Sequence, residues 1–219
     1  MRAGTLAIAI AAAALAVATL AMLASRRKAP ESEAGAGTVR GELTTQATLG
    51  AVRLTYPAAM ARTGDGRKGG ALDALDLVAA LPDFRVSPPQ RPGLPQPALI
   101  FITLRAQEAT PDPAGRPVQL YARFLSRESW SEAGGLTMRR FEPGSPYGRE
   151  DLYIVPPEGR AFSARCTRPA DPPDGLPETC LGDMRLKGLD VQFRFSPAQL
   201  PEWEAIKAGM EKLVDAIVK

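Results

Sequence analysis

Residues Thr5–Ala24 form one apolar run, TLAIAIAAAALAVATLAMLA. At about 1.5 Å per residue, a helix of this length spans about 30 Å, the thickness of a bilayer core. A cleaved signal peptide would need a short apolar core with a small-x-small site just after it. Here the run is long, and Arg26, Arg27 and Lys28 follow it directly. The expectation is an uncleaved transmembrane anchor within residues 1–28, in contact with the lipid bilayer through residues 5–24. Flanking charge does not set its orientation, because Arg2 and the α-amine oppose Arg26, Arg27 and Lys28.

The overall charge of +3 is misleading. Four of the 27 basic residues flank the anchor, and all 24 acids lie at or beyond Glu31. From residue 29 onward the balance is 23 positive against 24 negative, a net of −1. That part has no basic excess for a phosphate backbone, so no nucleic-acid partner is expected. The chain has no His, which excludes imidazole bases and imidazole metal ligands. It has no Asn, which excludes N-glycosylation. No cofactor and no metal site is expected.

Residues 29–47 are small and polar, with few side chains large enough to bury, and read as a flexible tether. The folded part is then 48–219, long enough for one hydrophobic core. Val52, Leu54 and Tyr56 alternate with Arg53 and Thr55, which predicts a half-buried strand ended by Pro57. The stretch 64–70 reads as a loop. Leu72, Leu75, Val78 and Leu81 fit a helix, whereas Leu75, Leu77 and Ala79 fit a strand. Six prolines hold 82–97 in an extended loop, and the β-branched run 99–104 predicts a central strand. Leu120, Tyr121, Phe124 and Leu125 lie on one face of a helix over 118–129 that Pro117 would start. Strands are expected near 136–142, 150–155, 161–167, 179–186 and 189–195, separated by turn residues. A final amphipathic helix over 201–218 carries Trp203, Ile206, Met210, Leu213, Val214 and Ile217 at steps of three and four. The fold class is therefore α+β: an antiparallel meander packed by a C-terminal amphipathic helix and preceded by the transmembrane helix.

Cys166 and Cys180 fall in neighbouring predicted strands, joined by 13 residues of which four are Pro. Two facing residues on adjacent strands can be bridged. The spacing is not that of a redox or zinc motif. A structural disulfide is expected, and disulfides persist in oxidising compartments. That favours a periplasmic C-terminal domain on a single-pass inner (cell) membrane protein.

Candidate chemistry is sparse. Gly64-x-Gly66-x-x-Gly69 has the letters of a dinucleotide fingerprint without the strand–helix context. Ser25-x-x-Lys28 has the letters of a Ser-Lys hydrolase without a scaffold. Glu150 and Asp151 are adjacent and would face opposite ways on a strand. Asp171 and Asp174 lack calcium-loop spacing. Arg139 with Arg140, and Arg165 with Arg168, could grip a carboxylate or phosphate; the alternative is a solvated sheet face. Trp130 and Tyr147 have polar surroundings and are candidate interaction residues, together with Arg139 and Arg140. Trp130 could equally cap the 118–129 helix.

The stretch Cys166-x13-Cys180, then VQFRF at 191–195, then Leu200-x-x-Trp203-x-x-Ile206, resembles a pattern in uncharacterised bacterial membrane-anchored envelope proteins. The likeness spans about residues 48–219. It implies an envelope location and carries over no activity. The sequence thus points to a non-enzymatic domain that binds an envelope protein partner, as an accessory, assembly or immunity-like factor. The alternatives are a carboxylate-based hydrolase acting on cell-wall or lipid material and a binder of small anions.

Overall fold

The computed structural model describes residues 43–89, 93, 95–169 and 175–219. The expected anchor and most of the expected tether lie outside these residues. Among the described residues, no helix is long and apolar enough to cross a membrane.

Strands β1 (Thr44–Leu49) and β2 (Val52–Pro57) form a hairpin, and the short β3 (Gly70–Ala71) joins β1 in parallel. β1 begins inside the 29–47 span assigned to the tether. Ala47 and Leu49 are buried, and that burial extends order upstream of Thr48. Between β2 and β3, the expected loop contains a single helical turn, Gly64–Lys68, capped by the Thr63 hydroxyl. The Tyr56 hydroxyl donates to the Gly66 carbonyl, so these glycines make a structural turn.

The remaining strands are β4 (Leu75–Ala80), β5 (Leu99–Ala106), β6 (Leu125–Ser131), β7 (Thr137–Phe141), β8 (Glu150–Ile154), β9 (Ser163–Thr167), β10 (Cys180–Leu186) and β11 (Leu189–Phe195). Among the described residues they form one eight-stranded sheet in the order β4-β5-β11-β10-β9-β8-β7-β6, antiparallel throughout. After β5 the chain crosses to the far edge, then walks back until β11 pairs with β5. The ambiguous stretch before Pro82 is a strand: Leu75, Leu77 and Ala79 are fully buried while Asp76 and Val78 are not.

The helix expected over 118–129 does not form. A π turn (Pro117–Tyr121) and a 3-10 turn (Ala122–Phe124) give way to strand β6. Ser126, Ser129 and Ser131 weaken a helix, and pairing with β7 supplies the backbone partners instead. Trp130 therefore caps no helix; it lies on an edge strand.

One face of the sheet is buried. Ile100, Ile102, Leu104, Val191, Phe193 and Phe195 share a core with Leu54 and Tyr56 of the first hairpin. The C-terminal helix Trp203–Ile217 adds Ile206, Met210, Leu213, Val214 and Ile217 to the same core. Trp203 is a core anchor: its ring lies 5.5 Å from that of Phe162, and its indole N–H donates to the Gly134 carbonyl at 2.8 Å. Two glycines permit close approaches. A Cβ on Gly209 would sit 2.1 Å from Phe84, and one on Gly182 would sit 2.3 Å from Phe193, its register partner.

The Gly182 contact gives a test. Gly182→Ala should destabilise the domain by about 1–3 kcal/mol through overpacking. Adding Phe193→Leu should recover part of that loss, because it removes the ring that blocks the new methyl. Urea unfolding of the three proteins measures this, and an unchanged midpoint for Gly182→Ala would contradict the packing.

Candidate protein-interaction face

Cys166 and Cys180 are disulfide-bonded directly across β9 and β10, with Cα atoms 3.9 Å apart. Both are buried on the inner face. Asp151 is the register partner of Cys166 on the other side, and Arg140 is the partner of Asp151. Asp151 is only 5% exposed. Its Oδ1 lies 3.6 Å from Arg140 Nε and 3.7 Å from Arg168 Nε, beyond hydrogen-bond length. Burial raises this carboxyl above the ordinary range, and the charges of Arg168 and Arg140 offset only part of the rise. Glu150 faces the opposite side of the sheet and pairs with Arg165. The two adjacent acids therefore diverge, as the sequence predicts, and no acid pair forms between them.

The four candidate interaction residues separate. Trp130 is about a third exposed, and the Arg140 guanidinium lies 5.4 Å from its ring centre. Arg139 points to the other face and donates to the Ser126 carbonyl at 2.6 Å. Consecutive strand residues alternate, so Arg139 and Arg140 cannot grip one anion. Arg165 and Arg168 are likewise divided between Glu150 and Asp151. Tyr147 is half-buried beside Tyr121 (5.2 Å), Phe124 (5.7 Å) and Phe141 (5.0 Å), with Arg165 4.8 Å above its ring. Beside Tyr147 a cleft of about 830 Å³ opens between the Pro143–Gly148 turn and the loop at the disulfide. Its charges are largely spent inside the fold: Glu150 holds Arg165, while Arg168 holds Asp151 and the Gly148 carbonyl.

The outer face of the sheet is ordered in rows. One row crosses all eight strands: Val78, Phe101, Arg194, Leu181, Arg165, Leu152, Arg139, Ser129. From Arg165 to Arg139 it is covered by the segment 117–124, which buries Tyr121 against Phe141, Leu152 and Ile154, while Ser129 at its end is exposed. Over β4, β5, β11 and β10 the same row is half-exposed at Val78, Phe101 and Leu181 and exposed at Arg194. The next row, Asp76, Thr103, Gln192, Asp183, is knitted by hydrogen bonds. Thr103 Oγ1 donates to Asp76 at 2.6 Å; Arg116 and Gln192 donate to Asp183 at 2.7 and 3.2 Å. In a third row, Asp190 accepts from Arg185 at 2.7 Å and from the Glu108 N–H at 3.0 Å.

Part of this face escapes sequence reading. The outward turn of Asp190, Gln192 and Arg194 is plain from alternation with Leu189, Val191 and Phe193. Phe101 is hidden, because both parities of the run 99–102 are apolar. The one available signal was Thr103 and Arg105, which continue the parity of Phe101 with polar side chains.

No family model and no curated protein matches the chain. Two solved structures do. An immunity protein of the Stenotrophomonas maltophilia type IV secretion system superposes with a TM-score of 0.58 at 14% identity, covering 81% of this chain and 94% of its own. The iron-regulated outer membrane lipoprotein FrpD of Neisseria meningitidis superposes with a TM-score of 0.46 at 13% identity, covering 81% and 93%. The first similarity establishes a shared fold. At these identities, no residue role carries over from either protein.

The Asp190 site predicts a pH signature. Burial alone would raise this carboxyl, but the Arg185 hydrogen bond, the Glu108 N–H and the charges of Arg185 and Arg116 outweigh it and hold it below the ordinary value. A carboxyl depressed in the folded state adds stability above the ordinary carboxyl range and loses it as pH falls through the folded value. Asp190→Asn should therefore cost about 1 kcal/mol or less at pH 7, given partial solvent screening. The difference should shrink as pH falls from the ordinary carboxyl range through the depressed folded-state value. Urea unfolding of both proteins across that range checks it; a gap that stays constant with pH would contradict the assignment.

Proposed function

We propose that the chain is an envelope protein held at the inner membrane by residues 5–24, with its disulfide-braced domain in the periplasm. There it binds another envelope protein as an accessory, assembly or immunity-like factor and performs no catalysis. The observation that carries this reading is the uneven cover of the sheet. The inner face is packed by the first hairpin and the C-terminal helix, whereas among the described residues the outer face is packed where 113–124 lies on β10, β9, β8 and β7. Over β4, β5 and β11, and at Leu181 of β10, an aromatic ring, two aliphatic side chains and arginines remain accessible. Half-buried aromatics flanked by Arg are the composition of interaction hot spots.

Two further facts support the reading. The solved structure with the higher superposition score is that of an immunity protein. The cross-strand disulfide suits an oxidising compartment. The hydrolase alternative needs two acids converging on one cleft. Among the described residues Asp151 is the one buried acid, and its strand neighbours are Arg140 and Cys166.

Purification of the full chain from native membranes in a mild detergent tests the proposal. A second envelope polypeptide should be recovered in near-equal molar amount, as read by quantitative mass spectrometry across two different detergents. Repeated recovery of the 23.3 kDa chain alone would contradict it.

A further inference from the structure

We infer that the open half of the outer face docks an acidic protein surface, whose carboxylates meet Arg62, Arg194 and Arg105 around Phe101. The inference rests on the partner-binding reading above and specifies the chemistry of the partner.

Charge complementarity carries it. The outward strand positions of this half hold three acids, and the fold already engages each of them: Asp76 with Thr103, Asp183 with Arg116 and Gln192, Asp190 with Arg185 and the Glu108 N–H. Among the described residues, Arg62, Arg105 and Arg194 reach no carboxylate. Arg62 lies 4.8 Å from the centre of the Phe101 ring. Its backbone is tied to β4, since its N–H donates to the Asp76 carbonyl at 2.9 Å and Ala61 bridges to Leu77. Arg194 is the register partner of Phe101 and donates weakly to Gln192 at 3.4 Å. Arg105 stands four residues along β5 and is exposed. Three unspent guanidinium groups thus gather on one surface of a chain that has a net of −1 beyond residue 28.

Geometry decides between classes of partner. Four strand residues span roughly 13 Å, so Arg105 and the Arg62–Phe101–Arg194 group are too far apart to close on one phosphate. They can each take a carboxylate from one partner surface. A nucleic acid would need a longer basic track, and an anionic membrane is bound by clusters of about four to eight cations. Two arginines in a row with Phe101, Val78 and Leu181, and a third beyond the hydrogen-bonded row Asp76–Thr103–Gln192–Asp183, fit neither. They match the centre of a protein interface, where planar guanidinium groups pair with carboxylates and an aromatic ring fills the partner's apolar gap.

The test uses the full chain in detergent and fluorescent peptides of roughly a dozen residues, the length of a strand or short helix. One peptide alternates Glu with Thr, and its control carries Lys in place of Glu. Fluorescence anisotropy should show the Glu peptide binding, the Lys peptide not, and the affinity falling as salt rises. The variant with Arg62→Ser, Arg105→Ser and Arg194→Ser should bind the Glu peptide at least about tenfold more weakly. Arg105→Ser alone, at an exposed position opposite Asp190, whose carboxylate Arg185 and the Glu108 N–H already hold, should weaken it in the same direction and guards against misfolding of the triple variant. Equal binding of both peptides, or unchanged binding by both variants, overturns the inference. So does stronger Arg-dependent binding to phosphatidylglycerol vesicles or to an oligothymidine. Recovery of the native partner by the triple variant as efficiently as by the wild type would move the dock elsewhere while leaving the partner reading standing. Failure of the wild type to recover any partner would remove both.

Discussion

Phe193 lies over Gly182 in the middle of the sheet, and the register of β10 and β11 depends on that contact. Side chains on a strand alternate, so a slip of one residue would exchange the inner and outer faces. Only one phase puts Val191, Phe193 and Phe195 against the C-terminal helix and the first hairpin. That phase sends Asp190, Gln192 and Arg194 outward. The polar rows on the outer face are thus a consequence of how the inner face packs. The helix contributes five buried apolar residues, and Gly209 lets Phe84 lie against it.

The disulfide fixes the same register at the next pair of strands. Its two residues face each other, so oxidation holds β9 and β10 in one alignment. Closing a loop of about 15 residues removes roughly 3 kcal/mol of unfolded-chain entropy. The same alignment sets Arg165 between Leu181 and Leu152, where Glu150 and the rings of Tyr121 and Tyr147 surround it. The covered half of the outer face is therefore an ion-paired aromatic core in its own right. Among the described residues the open half is crossed at β10 alone, where the turn 113–115 packs and Arg116 pairs with Asp183, and is left uncovered over β4, β5 and β11.

Much of the fold can be read from the chain. Clean alternation marks β2 and β11, and the three- and four-residue steps of Ile206, Met210 and Leu213 mark the final helix. The turn residues around the cysteines place them on neighbouring strands, and the pairing of β9 with β10 sets them face to face. Three things resist such reading, each for a physical reason. Leu72–Leu81 satisfies both periodicities, and only pairing with β5 selects the strand. Leu120–Leu125 has helical spacing because it makes two irregular turns, yet the strand that follows is selected by long-range pairing with β7. The candidate site is the hardest. Arg139 and Arg140 are neighbours in sequence but lie on opposite faces, Tyr147 is drawn into a core, and Phe101 emerges from an apolar run. Of the four candidate interaction residues, Trp130 and Arg140 are the two that the fold sets side by side, a pairing no sequence pattern announces. Which arginines remain unspent depends on pairings between residues as distant as Arg116 and Asp183, which no local pattern reports.

Photo-crosslinking in living cells tests the central claim most directly. A benzophenone amino acid at Val78 stands on the open half of the outer face, and one at Glu204 stands exposed on the C-terminal helix. The account predicts a discrete crosslinked product from position 78 and none from position 204. A product from 204 alone, or from neither position in cells that make the protein at native level, would contradict it.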